Sequence, residues 1–592
     1  MININKNKTI DKVIDFLFSN DYKKYILILF LLGFLLRCII VFQIPFGADE
    51  MGYAAHSIGF IDSGKLQIHD QDGVWFFLTD LFMKIFGANV FGLRFLSILF
   101  GSLSIILIYL LTKEILNKKI ALIASFILAF SSYSLRTTIG AMDIPMYFFA
   151  ILALYFLILY FKQMKISFFV FCWISLGIAI MIKQIAILFI PAFLLYFLFY
   201  NSKHSGKFKL KQIFLATFIL VLMVTPVLTY NYLLYKDKGL VDMQFSRFFG
   251  IAEEKYESIS HTLNPFSLQT LLFSHNGELP GVLVALQIFL TSESIFILLF
   301  AILGFFLSLK SNMRFRGLIF ISFLFPFIFL AGTSLLSNHF VFATFFFALF
   351  AAKGIDSIIN FFQQNFRKKI LYSILLLIFL MSLLNVYQYN HSFFGKNEIQ
   401  KLIEYKEQNI EEDSLIIVDS RIYRGRIAFM FWDKHYLESN HFPYLLQEAE
   451  AYQDNLVSYN VYFIEAVTDD SGWGNIKDQP EFNKSTEQIV SFFQQQEKSI
   501  KTVNNLLEQP HFKIYKTFLN LPPGVSEFVD STHEFFFYPV KYQPKSEVFD
   551  NYDTYNLFDD LLDMFAHIIL YLEVLLAILS VFFIFYKLYK TS

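Results

Sequence analysis

The chain has 592 residues, of which 56% are hydrophobic, 19% aromatic and only 16% charged; 77 are phenylalanine. Soluble proteins carry about 25% charged residues, so this composition, with a mean hydropathy of +0.52, describes an integral membrane protein large enough for a multi-helix bundle and a soluble part. The net charge of −1 comes with no basic stripe, which argues against a nucleic-acid partner, and Cys38 and Cys172 lie within apolar runs, which excludes a disulfide framework or a thiolate metal site.

The N-terminus is polar and lysine-containing, and no small-residue cleavage site follows a short apolar core. The first apolar run therefore reads as a retained helix, not a signal peptide. A bilayer span needs about 17–25 apolar residues. Twelve runs meet this, near 25–45, 91–112, 120–136, 144–161, 166–183, 184–200, 211–233, 293–309, 317–336, 338–356, 369–390 and 563–586. The even number places both termini on one side. Lysine and arginine choose the side. "KEILNKK" (113–119), "KHSGKFKLK" (203–211), "KSNMRFR" (310–316) and "RKK" (367–369) share it with Lys23, Lys24, Lys587 and Lys590. The expectation is a multi-pass protein of the cytoplasmic (cell) membrane with both termini cytoplasmic.

That topology divides the chain into three parts. Residues 1–392 form a membrane core with outer loops at 46–90 and 234–292. Residues 393–560 form an outer α/β domain, and 561–592 the last helix and a cytoplasmic tail. In the outer domain "SLIIVDS" (414–420), "NVYFIEA" (460–466) and "HFKIYKTF" (511–518) predict strands. "STEQIVSFFQQQEKSIKTVNNLL" (485–507) predicts a helix. The fold class is an α-helical polytopic membrane protein with an extracytoplasmic α/β domain near the C-terminus.

No G-x-x-x-x-G-K-[ST] is present, so an ATP-driven pump is disfavoured; no dinucleotide fingerprint and no H-E-x-x-H occur either. The informative residues sit at the outer membrane boundary. Asp49, Glu50 and Tyr53 follow the first helix, and Arg94 starts the second. Arg136 and Asp143 flank the turn between the third and fourth. Lys183 lies between the fifth and sixth, and Asn338 and His339 between the ninth and tenth. Snorkelling charges alone should favour the cytoplasmic side. The set divides by sign, with three acids facing Arg94, Arg136, Lys183 and, when protonated, His339. A carboxylate can take the proton of an attacking hydroxyl. Cationic donors can stabilise charge on a departing phosphate. Taken one at a time, the acids also fit solvated helix ends and turns, and the cations interfacial anchors.

These residues carry a resemblance. "ADEMGYA" (48–54) resembles the D-E-x-x-Y-A motif of polyprenyl-phosphate-sugar glycosyltransferases of the GT-C superfamily, which include protein O-mannosyltransferases and the aminoarabinose transferase of lipid A. "FGLRFLSILFGSLSIILIYLL" (91–111) is similar to their G-x-x-R-x-x-S-x-x-x-G helix. "GAMDIPMYFF" (140–149) resembles their A-x-D-x-P turn, and "GIAIMIKQIAILFIP" (177–191) their G-x-x-x-x-x-K helix pair. The likeness covers residues 25–200 and fades beyond them. It implies a GT-C fold of about 12 transmembrane helices. It also implies transfer of one sugar, with inversion, from a dolichyl or undecaprenyl phosphate carrier to a protein, lipid or glycan acceptor. By the same resemblance Asp49 is the catalytic base, with Glu50 and Asp143 supporting the acceptor side or an ion. Lys183 and Arg136 contact the donor phosphate, with His339 beside them; Arg94 either joins these contacts or braces the site, and Tyr53 meets the substrate. The resemblance fixes no cofactor and leaves room for a divalent cation.

The chain departs from the pattern in two places. Where family members often carry [KH]-P-P, it has "HDQDGVWFF" (69–77), and where they have Arg-Tyr it has "NHFVF" (338–342). "DQD" (70–72) has the spacing of a metal-binding D-x-D, but an outward location argues against nucleotide sugars. "FWDKH" (431–435) matches only part of the W-W-D-x-G motif of oligosaccharyltransferases. Two readings of other classes stand beside the enzyme. A secondary transporter or lipid flippase would place its charges at the bilayer midplane within repeated halves. A scaffold would use the outer domain to bind a partner.

Overall fold

The structure is a computed structural model that describes residues 21–62, 66, 73–203, 210–239, 241–242, 245, 266–273, 279–310, 313–333, 337–422, 424–451, 456–467, 480–496, 499–523 and 552–591. Its centre is formed by helices Val90–Ile115 and Asp143–Gln163, whose apolar windows are 89% and 100% buried; helix Gln364–Asn390, at 17%, lies at the periphery. Such all-round apolar helices must pack inside a bundle. Side-chain caps set the starts of helices Val90–Ile115 and Lys118–Ala129. Asn89 accepts from the backbone N–H groups of Phe91 and Gly92, and Asn117 from that of Ile120.

Among the described residues six helices are long and apolar enough to cross a membrane: Val90–Ile115, Asp143–Gln163, Arg316–Thr333, Ala343–Phe361, Gln364–Asn390 and Leu557–Thr591. The run expected at 211–233 is two helices, Leu210–Met223 and Thr225–Lys238, bent by 55°. Other expected spans are shorter or broken. Run 120–136 stops at Ala129, because the Ser131 hydroxyl accepts from the Ser134 N–H and caps a new turn, Ser132–Arg136. Run 184–200 opens with a 3-10 turn, Gln184–Leu188. The expected count of twelve is therefore not what helix length gives. The segments expected as outer loops also contain helices: Ala48–Ser57 and Gly73–Phe86 in the first, Leu268–Leu272 and Gly281–Ser292 in the second.

The C-terminal α/β domain holds a five-stranded sheet: β1 (Leu415–Val418), β2 (His435–Glu438), β3 (Val457–Ala466), β4 (Lys501–Asn504) and β5 (Pro510–Leu521). The order is β2-β1-β3-β5-β4, with β1 parallel to β2 and β3, and β5 antiparallel to β3 and β4. All three predicted strands are present. The predicted helix 485–507 is a correction. Helix Pro480–Gln496 ends early, and Lys501–Asn504 pairs with β5 because it supplies an edge strand whose Val503 enters the core.

The domain is fastened to the loop that precedes the opening carboxylates. The Asn397 N–H donates to the Phe42 carbonyl at 2.9 Å, Gln43 Nε2 to the Gly395 carbonyl at 2.6 Å, and Arg426 Nη2 to the Phe46 carbonyl at 3.3 Å. Helix Arg424–Met430 packs on helix Ala48–Ser57. Of "FWDKH", Trp432 is exposed, and Asp433 is ion-paired with buried Lys406.

Candidate functional site

Helix Ala48–Ser57 begins beside the first turns of helix Val90–Ile115, and Glu50 in its first turn points inward. Glu50 is 1% exposed and Arg94 0%. Arg94 Nε and Nη2 donate to the two Glu50 oxygens at 2.5 and 2.7 Å. Arg94 Nη1 donates to the carbonyls of Val41 and Ile44 at 2.6 and 2.9 Å, and the Phe46 ring lies 4.0 Å from its Cζ. Glu50 Oε1 also accepts from the Gly140 N–H at 2.6 Å. A Cβ at Gly140 would sit 2.5 Å from Leu93 Cγ, so only glycine lets the 139–141 turn approach this closely. Three residues along helix Val90–Ile115 from Arg94, Ser97 Oγ donates to the Ile139 carbonyl at 2.6 Å. The R-x-x-S pattern therefore positions the turn that delivers Asp143.

Asp143 starts helix Asp143–Gln163, and Lys183 sits in extended backbone between helix Ile166–Ile182 and turn Gln184–Leu188. Lys183 Nζ donates to both Asp143 oxygens, at 3.0 and 3.1 Å, with side chains 13% and 5% exposed. One helical turn on, the Tyr147 hydroxyl donates to the His339 carbonyl at 2.6 Å, and the Tyr133 hydroxyl donates to the Ser337 carbonyl. These two tyrosines pin turn Ser337–Phe340 beside the Asp143–Lys183 pair. The His339 imidazole is pushed down to about 4, by burial first and then by the Lys183 charge. It is neutral at physiological pH and is not the cation expected at this position.

Arg136 is half-buried at the end of turn Ser132–Arg136. Its Nη1 donates to the Thr291 carbonyl at 2.8 Å, and its Cζ lies 3.6 Å from the Tyr389 ring centroid. The Tyr53 ring packs edge-on against Trp75. Asp49 shares the first turn of helix Ala48–Ser57 with Glu50, but its side chain lies outside the described residues, as do "DQD" and His69.

Asp143 and Lys183 are thus brought into contact, with His339 next to them and Arg136 three residues from Tyr133. Glu50 and Arg94 were expected among the catalytic acids and the phosphate contacts. In this structure each is sealed from water with its charged atoms engaged by the other and by the backbone, an arrangement that suits the bracing role. Among the described residues no three of His, Cys, Asp and Glu are grouped to hold a metal ion, and Glu50 and Asp143 are each occupied by a cationic side chain. Sequence reading missed Tyr133 and Tyr147. The only hint was their place in the boundary segments around Arg136 and Asp143.

Residues 73–230 match the family described as dolichyl-phosphate-mannose-protein mannosyltransferase. The same fold is found in ArnT from Cupriavidus metallidurans. Its apo structure is 12% identical with a TM-score of 0.52, and its undecaprenyl-phosphate-bound structure 12% identical with 0.53; each alignment covers 83% of this chain and 97% of that one. The chain shares that fold, and residues 73–230 are similar to the mannosyltransferase family. An uncharacterized protein of Aquifex aeolicus (strain VF5) is 25% identical over 228 residues, which are 37% of this chain and 46% of that protein. Arg94, Ser97, Gly140, Asp143 and Lys183 all lie within the segment 73–230.

Proposed function

We propose that the protein is an inverting glycosyltransferase that moves a single sugar from a polyprenyl phosphate carrier to an acceptor hydroxyl of a protein, lipid or glycan. The reaction takes place at the outer face of the cytoplasmic membrane, with both termini cytoplasmic. The carrying observation is the Asp143–Lys183 pair, 3.0 Å apart, formed by residues forty positions apart. It holds an ammonium at the boundary where a lipid-borne phosphate and a water-borne acceptor can meet. ArnT bound to undecaprenyl phosphate, with the same fold, supports a lipid-linked donor.

The acceptor O–H gives its proton to Asp49, and its oxygen attacks the anomeric carbon from the face opposite the phosphate. The bond from that carbon to the phosphate oxygen breaks, and its electrons leave with the phosphate. A phosphodiester of charge −1 becomes a polyprenyl phosphate of charge −2. Lys183 Nζ, with one donor beyond its two contacts to Asp143, and Arg136 with its remaining N–H groups, meet that growing charge. Asp143 aims Lys183; Glu50 and Arg94 fix the floor; Tyr53 lines the acceptor side. Purified protein given a labelled polyprenyl-phosphate sugar and a hydroxyl acceptor should form a product of inverted configuration. Asp49→Asn should abolish it, and full activity in that variant would refute the base assignment. Uptake of substrate into proteoliposomes without covalent product would favour a transporter instead.

A further inference from the structure

Two buried charges of opposite sign hold the segment Ser131–Arg136, and the reaction above uses neither. Arg37, in helix Asp21–Ile40, is 0% exposed. Its Nη2 donates to Ser134 Oγ at 3.0 Å and its Nη1 to the Gly33 carbonyl at 3.1 Å. Its Nε has no hydrogen-bond partner. A Cβ at Gly101 would lie 2.8 Å from that Nε, so the last glycine of the R-x-x-S-x-x-x-G stretch makes room for the guanidinium. At the other end of the segment Glu293 is 1% exposed, between helices Gly281–Ser292 and Ile295–Lys310. Its Oε1 accepts from the N–H of Ser132 at 3.1 Å, from Ser132 Oγ at 3.0 Å and from the N–H of Ser294 at 2.8 Å. Its Oε2 accepts from Ser131 Oγ. The Ser134 N–H donates to Ser131 Oγ at 3.1 Å. A continuous polar chain therefore runs Arg37–Ser134–Ser131–Glu293.

Arg136 hangs from this chain at both of its attachments. Its own backbone ends the capped turn, and its guanidinium is bonded to the carbonyl of Thr291, two residues before Glu293. Buried charges cost more than apolar packing of similar volume, so a segment that only needed to pack would do without them. The Glu293 carboxylate holds the turn, and the Thr291 carbonyl two residues before it holds the guanidinium, so both attachments of Arg136 meet at one helix end. We infer that Glu293 and Arg37 are positioning residues that fix the Arg136 guanidinium for the phosphate of the lipid-linked donor. This rests on the reading of Arg136 as a phosphate contact.

The test is binding of undecaprenyl phosphate to the full chain in nanodiscs, with phosphate-free undecaprenol as control. Arg136→Ala should weaken undecaprenyl phosphate binding at least about tenfold, a coupling of ordinary size for neighbouring groups. Glu293→Ala should weaken it about as much and leave undecaprenol unchanged. The double variant should bind no worse than Arg136→Ala alone, because both remove the same contact. Glu293→Gln keeps the size and one acceptor oxygen, and Arg37→Lys keeps the charge; both should give smaller losses and keep the readout open if the alanine variant fails to fold. Effects of Glu293 and Arg136 that multiply, or a Glu293→Gln protein that binds as tightly as wild type, would overturn the inference and leave the donor reading intact. If wild type does not prefer undecaprenyl phosphate to undecaprenol, and dolichyl phosphate gives the same result, the donor reading itself falls.

Discussion

Two carboxylate–cation pairs flank the turn that runs from Gly140 to Asp143, and they differ in how fully their polar atoms are engaged. Glu50 and Arg94 are 1% and 0% exposed, joined at 2.5 and 2.7 Å, and tied to Val41, Ile44 and Gly140. Asp143 and Lys183 are 5% and 13% exposed and joined at 3.0 Å, and Lys183 keeps a donor to spare. The same chemistry thus serves as a strut where every polar atom is saturated, and where one donor is left over it has room for the phosphate contact proposed above. Saturation, more than residue type or motif membership, separates the two. It is visible only once the third dimension is known.

Breaking the strut should have the largest effect. Glu50→Ala leaves the Arg94 guanidinium buried without its partner, a loss of about 3–5 kcal/mol, read as a large fall in thermal unfolding temperature in detergent. A paired replacement of Glu50 and Arg94 by apolar residues of similar volume should recover most of that. A single-variant loss below about 1 kcal/mol would mean that the pair does not brace the site. The second pair should show itself in turnover as well. Lys183→Ala leaves the buried Asp143 carboxylate without its partner and should also lower the unfolding temperature, but turnover per folded molecule should fall by about 10²–10³, the usual cost of one lost charge-stabilising donor. It should raise the KM for the donor more than that for the acceptor; equal changes would remove the phosphate contact from the proposal.

The sequence made one of these pairs legible and disguised the other. Asp143 and Lys183 stood out because topology put both at one membrane level, where chance placement of charge is costly. Glu50 and Arg94 stood out in the same way, and nothing in a linear pattern told a sealed pair from an open one. Arg37 did leave a signal, a lone arginine inside "FLLGFLLRCII", but its partners Ser134 and Gly101 lie on other helices. Glu293 was hidden at the edge of a run read as a span start. The twelve-residue helix Gly281–Ser292 before it is too short to register as a crossing. In the C-terminal sheet β1, β3 and β5 were readable from β-branched and aromatic runs. "HYLE" and "KTVN", four residues each, gain strand character only from their neighbours in the sheet.

The comparison can also be sharpened at the turn between the pairs. Gly140→Ala pushes a Cβ to within 2.5 Å of Leu93 Cγ and moves the N–H that Glu50 accepts. Overpacking of this kind costs about 1–3 kcal/mol. Because Asp143 follows three residues later, turnover should fall along with stability. A variant that is destabilised with unchanged turnover would show that the strut does not communicate with Asp143.

The smallest effect concerns His339 and is a matter of pH. Its imidazole titrates at about 4 in the folded protein, against an ordinary value near 6.5, because burial and the Lys183 charge both oppose protonation. Between those two values the unfolded chain binds a proton that the folded chain does not. Stability contributed at this site is therefore full above pH 6.5, falls as pH drops through that window, and levels off below about 4. His339→Gln should change stability by about 0.5 kcal/mol or less at pH 7.5 and flatten the acid limb of the profile. Donor KM should stay level from pH 6 to 8 in both proteins, because a neutral imidazole offers the phosphate no charge to lose. A donor KM that rises through pH 6.5 in wild type and not in the variant would restore His339 as a cation of the site, and would mean that the Lys183–Asp143 pair does not suppress its charge.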